Sequence, residues 1–529
     1  MNFKSKIVLL FIVFWMNSFA QHDPGRNAVR HLAKDQTDIA VDIVSREPKK
    51  KNSPINEAEC YFVLSMAECQ RDSISLAYQY ARQAVALGLP IERFLAGPRD
   101  LFAPLYAYQE FNTWLKPQNK SLLHGPLLGS VTDTSASFWV RTVEETEITI
   151  EVIAREVTKL GGNTLIGKER TKRTSDYTTT ITVSGLKRDT EYEYTVLLDD
   201  YKSEQSNVFR THPQKGESSR FSIVFGGGAG FTPGNEKMWT TIARYKPRAL
   251  MLLGDNIYID DPLHSMTQHY CYYRRQSQSE WRSLVATTSV YSIYDDHDFG
   301  TNDCIPGAEI ESPKWKREVV EVFKENWNNP SYGGGEETPG CWYEYYIGDV
   351  HFIMLDGRYY RDLENGSMLG TVQKEWLFGV LASSKGKFKI IASPVPWSPG
   401  VKPGSKDTWD GFPEEREEIF SFIEEQQIDG VLLMSADRHR SDLRRIKRLN
   451  TYDLYEVMSS RLTNVHTHDL LENAKGSEFI MGYNMKCSFG LIEFNTQLED
   501  PQVKYSIVNI DNEIMDYRVL KLSHLSDSK

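Results

Sequence analysis

The chain has 529 residues, of which 40% are hydrophobic, 12% aromatic and 25% charged. Such a composition is typical of globular proteins and excludes disordered, collagen-like and coiled-coil classes, while the length allows about three or four domains. The formal net charge of −11 argues against nucleic acid as a binding partner, because proteins that bind it normally present a basic surface.

Residues 1–20 have the pattern of a secretory signal peptide. Lys4 and Lys6 precede the apolar run 7–16, and the segment 18–20 provides a small-x-small cleavage site. A membrane anchor is the alternative, but the run is short, because a spanning helix needs about 20 apolar residues. We therefore predict an exported protein, periplasmic or secreted, without a stable membrane span.

Export would place the six cysteines in an oxidising compartment, which permits disulfides. The sequence does not choose among the possible pairings. Cys60 and Cys69 are close enough in sequence for a local bridge to be considered. Because the chain has no CxxC pair, a structural zinc site made of cysteines is not expected.

Three segments separate the leader from residue 218. Residues 21–55 are polar and are predicted to form a linker. Apolar residues then recur with a period near 3.6 over 56–120, which predicts a helical region without chemistry of its own. From residue 121 the period changes to two, and turn residues separate short strands up to 214, which predicts a small antiparallel β-sandwich domain.

Residues 218–520 alternate short apolar runs, such as 249–253 and 388–392, with helical stretches, as α/β domains do. The runs are typical of strands buried on both faces. Because the carboxyl ends of strands in an open α/β sheet line the ligand crevice, the residues that follow these runs are expected to meet in one site. They are Gly226–Gly230, Gly254–Tyr258, Asp295–Asp298, Asp356–Arg358 and Ser435–His439.

The residue types at these positions favour a metal centre. Asp255, Asp296 and Asp437 offer hard oxygen ligands, to which His439 adds an imidazole and Tyr258 a phenolate. Clustered carboxylates cannot all ionise in one cleft without a cation, and the mixture suggests two unlike metal ions bridged by one Asp. Two such ions can clamp the attacking and leaving oxygens of an in-line displacement at phosphorus.

Other polar residues near these segments have less specific interpretations. Asp260 and Asp261 are interpreted as turn residues, and nothing else in the sequence supports the HxH pair His466 and His468 as a metal site. Three arginines are candidates for holding phosphate oxygens in bidentate fashion, namely Arg358, Arg361 and Arg438. The chain has no G-x-S-x-G elbow and no P-loop, which excludes the corresponding hydrolase and nucleotide-binding classes.

Four motifs, taken as an ordered set, resemble the alkaline phosphatase D (PhoD-type) metallophosphatases. They are GDNIY (254–258), YDDHDFGTND (294–303), MLDGRYYR (354–361) and MSADRHRSDL (434–443), and HGPLLGSVTDTSASFWVRT (124–142) is similar to the start of the family's N-terminal domain. The resemblance covers about residues 122–510. It implies a metallophosphoesterase-type α/β sandwich at 218–520, preceded by the β-sandwich at 121–214.

The same resemblance implies an activity. Members of this family hydrolyse phosphate monoesters or diesters, in small molecules or polymers, by in-line attack of a metal-bound hydroxide, with an alkaline optimum. The alternative for this chain is an exported phosphate- or glycan-binding protein that keeps the fold without catalysis.

The resemblance also implies roles for particular residues. Asp255 would bridge the two metal ions, Tyr258 and His439 would bind the iron-type ion, and Asp296 and Asp437 would bind a calcium-type ion. A second group would face the substrate. In that group His297 would contact the substrate or protonate the leaving oxygen, Asn302 would match an Asn of the family motif, and Arg358 would contact the phosphate. Independently of the resemblance, Arg438 and the backbone of Gly228 are further candidates for binding the substrate.

One departure from the family pattern affects the iron-type site. The family usually has Ser-Cys after the first strand, with the thiolate on iron, whereas this chain has Gly226-Gly227-Gly228. Without that ligand, Fe³⁺, Zn²⁺, Mn²⁺ and a second Ca²⁺ remain alternatives for this position. The glycines could instead bring backbone N–H groups close to the phosphate, because glycine permits close approach.

Overall fold

The computed structural model describes residues 23–49, 54–116, 122–155, 164–199 and 201–527. The predicted signal peptide, 1–20, lies outside the described residues. In the described part of the chain, three sheets and an N-terminal helical region pack together. No helix in that part is long and apolar enough to cross a membrane.

The N-terminal region folds into short helices, and its predicted linker at 21–55 is wrong. Its helices are α1 (Pro24–Leu32), α2 (Thr37–Arg46), α3 (Glu57–Gln70), α4 (Ile74–Ala86), α5 (Glu92–Ala96), α6 (Arg99–Tyr106) and α7 (Gln109–Leu115). Asp23 caps α1 by accepting a hydrogen bond from the Arg26 backbone N–H, and Pro24 occupies the first helical position. Val29 and Val44 are buried in the same core as α3, so α1 and α2 belong to the folded region.

The local disulfide considered for Cys60 and Cys69 is also excluded. Both residues lie in α3, nine positions apart, which is roughly 13 Å along a helix axis, whereas bridged Cα atoms are at most about 7 Å apart. All six cysteines lie within the described ranges and are unpaired thiols.

The next segment forms two layers of antiparallel strands. Its strands are β1 (Leu122–Gly129), β2 (Ser135–Thr142), β3 (Glu147–Ala154), β4 (Leu165–Arg170), β5 (Thr178–Ser184), β6 (Glu191–Leu198) and β7 (Tyr201–Arg210). One layer has the order β4-β3-β6-β7. The other, β1-β2-β5, packs on it through Phe138, Tyr194 and Phe209.

The α/β region carries the remaining elements. Its strands are β8 (Arg220–Gly226), β9 (Ala249–Leu253), β10 (Ser289–Ile293), β11 (Tyr343–Ile347), β12 (Val350–Met354), β13 (Phe388–Ala392), β14 (Val431–Ser435), β15 (Ser441–Ile446), β16 (Leu454–Ser459), β17 (Glu478–Tyr483), β18 (Ser488–Asn495), β19 (Gln502–Asn509) and β20 (Ile514–Lys521). Its helices are α8 (Lys237–Ala243), α9 (Ser265–Gln276), α10 (Ser279–Val285), α11 (Asp296–Phe299), α12 (Trp315–Asn326), α13 (Gly370–Ser383) and α14 (Pro413–Glu425). Strands β9 and β13 have the bounds that their apolar runs predict.

Two large sheets face each other in this region. One has the order β20-β19-β18-β8-β9-β10-β1-β2-β5, and the other the order β11-β12-β13-β14-β16-β15-β17. Aromatic side chains fill the space between them, with the rings of Tyr291 and Tyr345 stacked 3.7 Å apart and those of Phe352 and Phe494 5.9 Å apart. The predicted α/β sandwich is therefore confirmed, together with its small β-sandwich and its N-terminal helices.

The β-sandwich shares a sheet with the α/β region, which the sequence did not indicate. Gly129 at the end of β1 pairs in parallel with Val290 of β10. Strands β8, β9 and β10 are parallel to one another, as are β12, β13, β14 and β16. Their carboxyl ends bring the predicted site segments to one edge of the sandwich.

Candidate metal centre

Several non-glycine residues at these strand ends adopt left-handed backbone conformations. The φ angles are 54° at Asp255, 59° at Tyr258, 66° at Asp437 and 45° at His439. Such conformations are uncommon for residues with a side chain. Each costs on the order of 1–3 kcal/mol and persists where the surroundings hold it, often at functional sites. Turns of this kind after β9 and β14 point the side chains into a common space.

Tyr258, His439 and Asp255 form one side of the site. The Tyr258 hydroxyl lies 2.7 Å from Nε2 of His439, which is 3.8 Å from Oδ2 of Asp255. Asn464 donates a hydrogen bond of 2.7 Å from Nδ2 to the Tyr258 oxygen. Among the described residues, Oδ1 of Asp255 and Nδ1 of His439 are buried without a hydrogen-bond partner. These unsatisfied atoms fit a bound cation, because buried polar atoms are otherwise paired.

Carboxylates form the other side. Ligand atoms of Asp255, Asp296 and His297 lie within 4.8 Å of one another, and so do those of Asp296, Asp303 and Asp407. The Asp303 backbone N–H donates a hydrogen bond of 2.6 Å to Oδ2 of Asp296. The carboxylate pattern therefore continues from the bridging position of Asp255 towards Asp407.

Asp437 joins this side through a lysine. The Lys402 ammonium is 2.7 Å from Oδ2 of Asp407, 2.9 Å from Oδ1 of Asp303 and 3.8 Å from Oδ1 of Asp437. Oδ2 of Asp437 is buried without a hydrogen-bond partner in the described part of the chain. Lys402 thus offsets part of the negative charge and leaves one Asp437 oxygen for a ligand.

The crowded acids have raised pKa values. Burial, with the charges of Asp296 and Asp295, raises the pKa of Asp255 well above its ordinary value. Burial also raises the pKa of Asp295 to about 8 and that of Asp298 to about 6. Burial and the charge of Asp255 raise the pKa of the Tyr258 phenol. A cation in this space would restore the charged forms of these groups.

His297, in contrast to these acids, is favoured in its charged form. Its Nδ1 lies 2.5 Å from Oδ1 of Asp260, and its ring stacks on Tyr258 with a centroid distance of 4.6 Å. Burial alone would lower the pKa of His297, but the charges of Asp296, Asp260 and Asp255 raise it well above its ordinary value. These carboxylate neighbours therefore favour the protonated form of the imidazole. Asp260, predicted as a turn residue, is its partner.

Arg358 is held in the carboxylate wall of the site. Its guanidinium is completely buried and donates to Oδ1 of Asp295 at 2.5 Å and to Oδ1 of Asp407 at 2.6 Å. Arg361 is equally buried and binds the same Asp407 oxygen at 2.6 Å. NH2 of Arg358 has no hydrogen-bond partner among the described residues and lies 3.7 Å from Oδ1 of Asp296. Arg358 therefore supports the carboxylates of the site, and its contact with phosphate stays a prediction.

The predicted role of Gly228 in binding phosphate would require its backbone N–H group to change partners. Backbone N–H groups of the glycine segment are already used, since Gly227 donates to the Ser459 carbonyl at 3.1 Å and Gly228 to the Gly254 carbonyl at 3.3 Å. A Cβ on Gly227 would lie 2.7 Å from the Ala436 Cβ. The glycines allow close packing of β8 against the segment after β14 and leave no room for a thiolate.

The two remaining predicted substrate residues lie in different surroundings. Arg438 is buried, with NH1 3.7 Å from Oδ2 of Asp437, and makes no side-chain hydrogen bond to any residue that the structure describes. Asn302 is exposed in the turn after α11. Arg438 therefore lies beside the cluster with its donors available, whereas Asn302 is outside the contacts described above.

Sequence reasoning missed three groups at the site. Lys402 and Asp407 lie in a loop without periodicity, so no local pattern marks them, and Asp303 stands in an exposed turn. The HxH pair lies at His439, with ring-centroid distances of 5.4 Å from His439 to His466 and 5.5 Å from His439 to His468. The HxH spacing was visible, but its proximity to His439 was not.

Comparisons with known proteins agree with this geometry. Residues 223–479 match the model of the PhoD-like phosphatase family, and residues 119–215 match a domain of unknown function, DUF7800. Alkaline phosphatase D of Bacillus subtilis (strain 168) is 30% identical over 112 residues, which cover 17% of this chain and 19% of that protein. The chain thus aligns with about a fifth of that curated relative.

Two solved structures share the fold. The structure of PhoD has a TM-score of 0.61 at 16% identity, covering 75% of this chain and 88% of that chain. A purple acid phosphatase, PPD1, from seeds of yellow lupin (Lupinus luteus) has a TM-score of 0.57 at 14% identity, covering 76% of this chain and 75% of that chain. At these identities the likeness shows the architecture alone.

Proposed function

We propose that this chain, whose residues 223–479 match the PhoD-like phosphatase family model, is an exported, metal-dependent hydrolase of phosphate esters. The observation that carries the proposal is the convergence of Asp255, Asp296, Tyr258 and His439 at the carboxyl ends of β9, β10 and β14. Residues distant in sequence meet there with ligand atoms of hard and intermediate type.

The donor set fits two metal ions. Tyr258, His439 and Asp255 would hold one ion, while Asp255, Asp296 and Asp437 would hold the other, for which Ca²⁺ is proposed because its ligands are carboxylates. For the ion beside the imidazole, Fe³⁺, Zn²⁺ and Mn²⁺ are the candidates. Bound there, the ions would supply an activated water and neutralise charge on the phosphoryl oxygens.

The chain's own residues would bind and protonate the ester. Arg438 lies beside Asp437 with its guanidinium donors available, so it is proposed to hold a phosphoryl oxygen. Protonated His297, oriented by Asp260, would give its proton to the leaving oxygen. Asn464 fixes the Tyr258 hydroxyl, and Asp298 fixes the backbone of that loop by accepting from the N–H groups of residues 256–258.

The proposed substrates are phosphate esters as a class. Phosphate monoesters and diesters, in small molecules or in polymers, share the chemistry that the site would perform. Export to the periplasm or the medium is supported by the signal-peptide pattern at 1–20. The site chemistry does not depend on that destination.

The proposal is tested with mono- and bis-(4-nitrophenyl) phosphate, with and without a chelator. We expect chelator-sensitive release of 4-nitrophenol, and a loss on the order of 100-fold or more in Asp255→Asn, because the bridging carboxylate holds both ions. Asp42→Asn, on the exposed face of α2, is the matched control and should keep full activity. Absence of chelator-sensitive turnover of either ester would refute the enzyme proposal.

A second function is favoured by one feature. The glycine segment 226–228 supplies no side-chain ligand where the family has a thiolate, as expected for a phosphate- or glycan-binding protein that has lost catalysis. That function predicts no turnover of either ester, together with phosphate binding that survives in Asp255→Asn. Calorimetric titration of the protein with inorganic phosphate distinguishes the two functions.

A further inference from the structure

Three histidines meet beside Tyr258. One ring nitrogen of each of His439, His466 and His468 lies within 4.8 Å of the other two. The centroid distances are 5.4 Å from His439 to His466, 5.5 Å from His439 to His468 and 4.6 Å from His466 to His468. Zn–N bonds of 2.0–2.1 Å in a tetrahedral site place ligand rings roughly 5 Å apart, which is the spacing seen here.

The segment that carries the HxH pair is fixed in place. Arg461, at φ 99°, donates to the carbonyls of Asn464, Val465 and Asn484 at 3.2, 3.0 and 2.7 Å. The Thr467 hydroxyl donates to the carbonyl of His439 itself at 3.0 Å. Contacts on both sides of the two imidazoles therefore hold them against His439.

His439 also has an unsatisfied atom. Its side chain is buried, and Nδ1 has no hydrogen-bond partner among the described residues, while Nε2 faces the Tyr258 hydroxyl. His466 and His468 lie nearer the surface, so an ion can enter between the rings from solvent. A buried imidazole with an unsatisfied nitrogen, grouped with two imidazoles nearer the surface, is an arrangement that a metal ion can complete.

We propose that His439, His466 and His468 together bind one divalent ion of the late transition-metal type, such as Zn²⁺. Three imidazoles are a common zinc ligand set, which Tyr258 and Asp255 would extend, and imidazole nitrogen also suits Cu and Ni ions. The inference rests on the proposed function, because it assigns further ligands to the ion that His439 would hold. It specifies nitrogen from the HxH pair in place of the family's thiolate.

The packing of the glycine segment gives a reason for this replacement. A Cβ on Gly227 would lie 2.7 Å from the Ala436 Cβ and 2.8 Å from the Gly254 carbonyl oxygen. A cysteine cannot be accommodated there without movement of the backbone. Extra ligands for the ion must therefore come from another direction, and the HxH pair approaches from the loop that follows β16.

The test counts imidazoles on the bound metal. The protein is stripped with a chelator, loaded with one equivalent of Zn²⁺, and examined by X-ray absorption at the zinc edge. We expect three imidazole ligands in the wild type and one in His466→Ala/His468→Ala, with Zn²⁺ affinity at least tenfold lower in a competition assay. His31→Ala/His524→Ala, which removes two histidines elsewhere, should match the wild type.

The outcomes separate this inference from the proposed function. An unchanged imidazole count in the double variant, or a wild type that binds no Zn²⁺, overturns the three-histidine site even if chelator-sensitive ester hydrolysis is found. A fall from three imidazoles to one supports the site even if neither ester is hydrolysed. Circular dichroism melting curves establish that the double variant is folded.

Discussion

The roles of individual glycine and aspartate residues depend on their neighbours in the fold. The glycines of segment 226–228 would allow backbone N–H groups to approach a phosphate, but N–H groups of Gly227 and Gly228 bond to carbonyls of the protein, and the missing side chains make room for Ala436 and Leu462. Asp255 and Asp437, by contrast, accept left-handed backbone angles and turn a carboxylate towards the centre. Residue type alone did not distinguish the two cases.

Gly227→Ala tests the packing interpretation. The added Cβ would meet the Ala436 Cβ at 2.7 Å, so we expect a loss of about 1–3 kcal/mol in the free energy of unfolding, as overpacking generally causes. Urea denaturation measures the change. Gly234→Ala, where a Cβ meets nothing within 4 Å, should be nearly neutral, and an equal effect of both substitutions would contradict the interpretation.

At the scale of elements, helix α1 packs against the loop that follows β9. Arg26 donates to the Tyr258 carbonyl at 2.8 Å and pairs with Oδ2 of Asp260 at 2.5 Å. Arg30 donates to the Asp260 carbonyl at 2.6 Å. Because Asp260 contacts His297, the helical region, for which the sequence indicated no chemistry, supports the residue that we propose as the proton donor.

Arg26→Ala tests this support. With the ion pair removed, Asp260 loses a partner and His297 its fixed orientation, so we expect kcat on phosphate esters to fall by about tenfold, as for other supporting contacts, while KM changes little. Steady-state kinetics over a range of pH measure this. Arg46→Ala, at an exposed pair with Asp42 on α2, is the control, and equal kinetics for both variants would refute the support.

At the scale of the whole molecule, buried ion pairs join the helical region to the α/β region. Asp23 accepts a hydrogen bond of 3.0 Å from NH1 of Arg274 in α9 and also pairs with NH2 of that residue. Glu59 of α3 accepts from the Tyr270 hydroxyl of α9 at 2.6 Å. Breaking such buried pairs is costly, because a charge is left without a partner.

The Asp23 pair gives a pH dependence of stability. Burial alone would raise the pKa of Asp23, but Arg274 and Arg26 lower it to about 2. A lowered pKa in the folded state contributes stability above the unfolded value of 3.8, and that contribution, about 2 kcal/mol, is lost as the pH falls towards 2.

The measurement compares the wild type with Asp23→Asn by urea denaturation between pH 6 and about 2. We expect the variant to be less stable at pH 6 and the difference to shrink as the pH falls. Asp42→Asn should show no such trend. A difference that stays constant with pH would mean that the Asp23 charge does not carry the stability.

Local patterns in the sequence determined the strands of the α/β region and the residues that follow them, because buried strands need continuous apolar runs and parallel strand ends meet at one edge. These patterns predicted four candidate ligands, namely Asp255, Tyr258, Asp296 and His439. The signal for α1 was also present as Asp23-Pro24, an N-cap followed by proline. The segment is nevertheless predicted to be a linker, because it is short and polar.

The tertiary structure decided the partners of side chains. It paired Arg358 with Asp295 and Asp407, brought the HxH pair to His439, and placed Arg26 on a loop 232 residues further along the chain. Such contacts depend on which surfaces meet when the layers pack. Periodicity and residue type describe only neighbours along the chain, so they fix elements and candidate ligands but not the direction in which a side chain points.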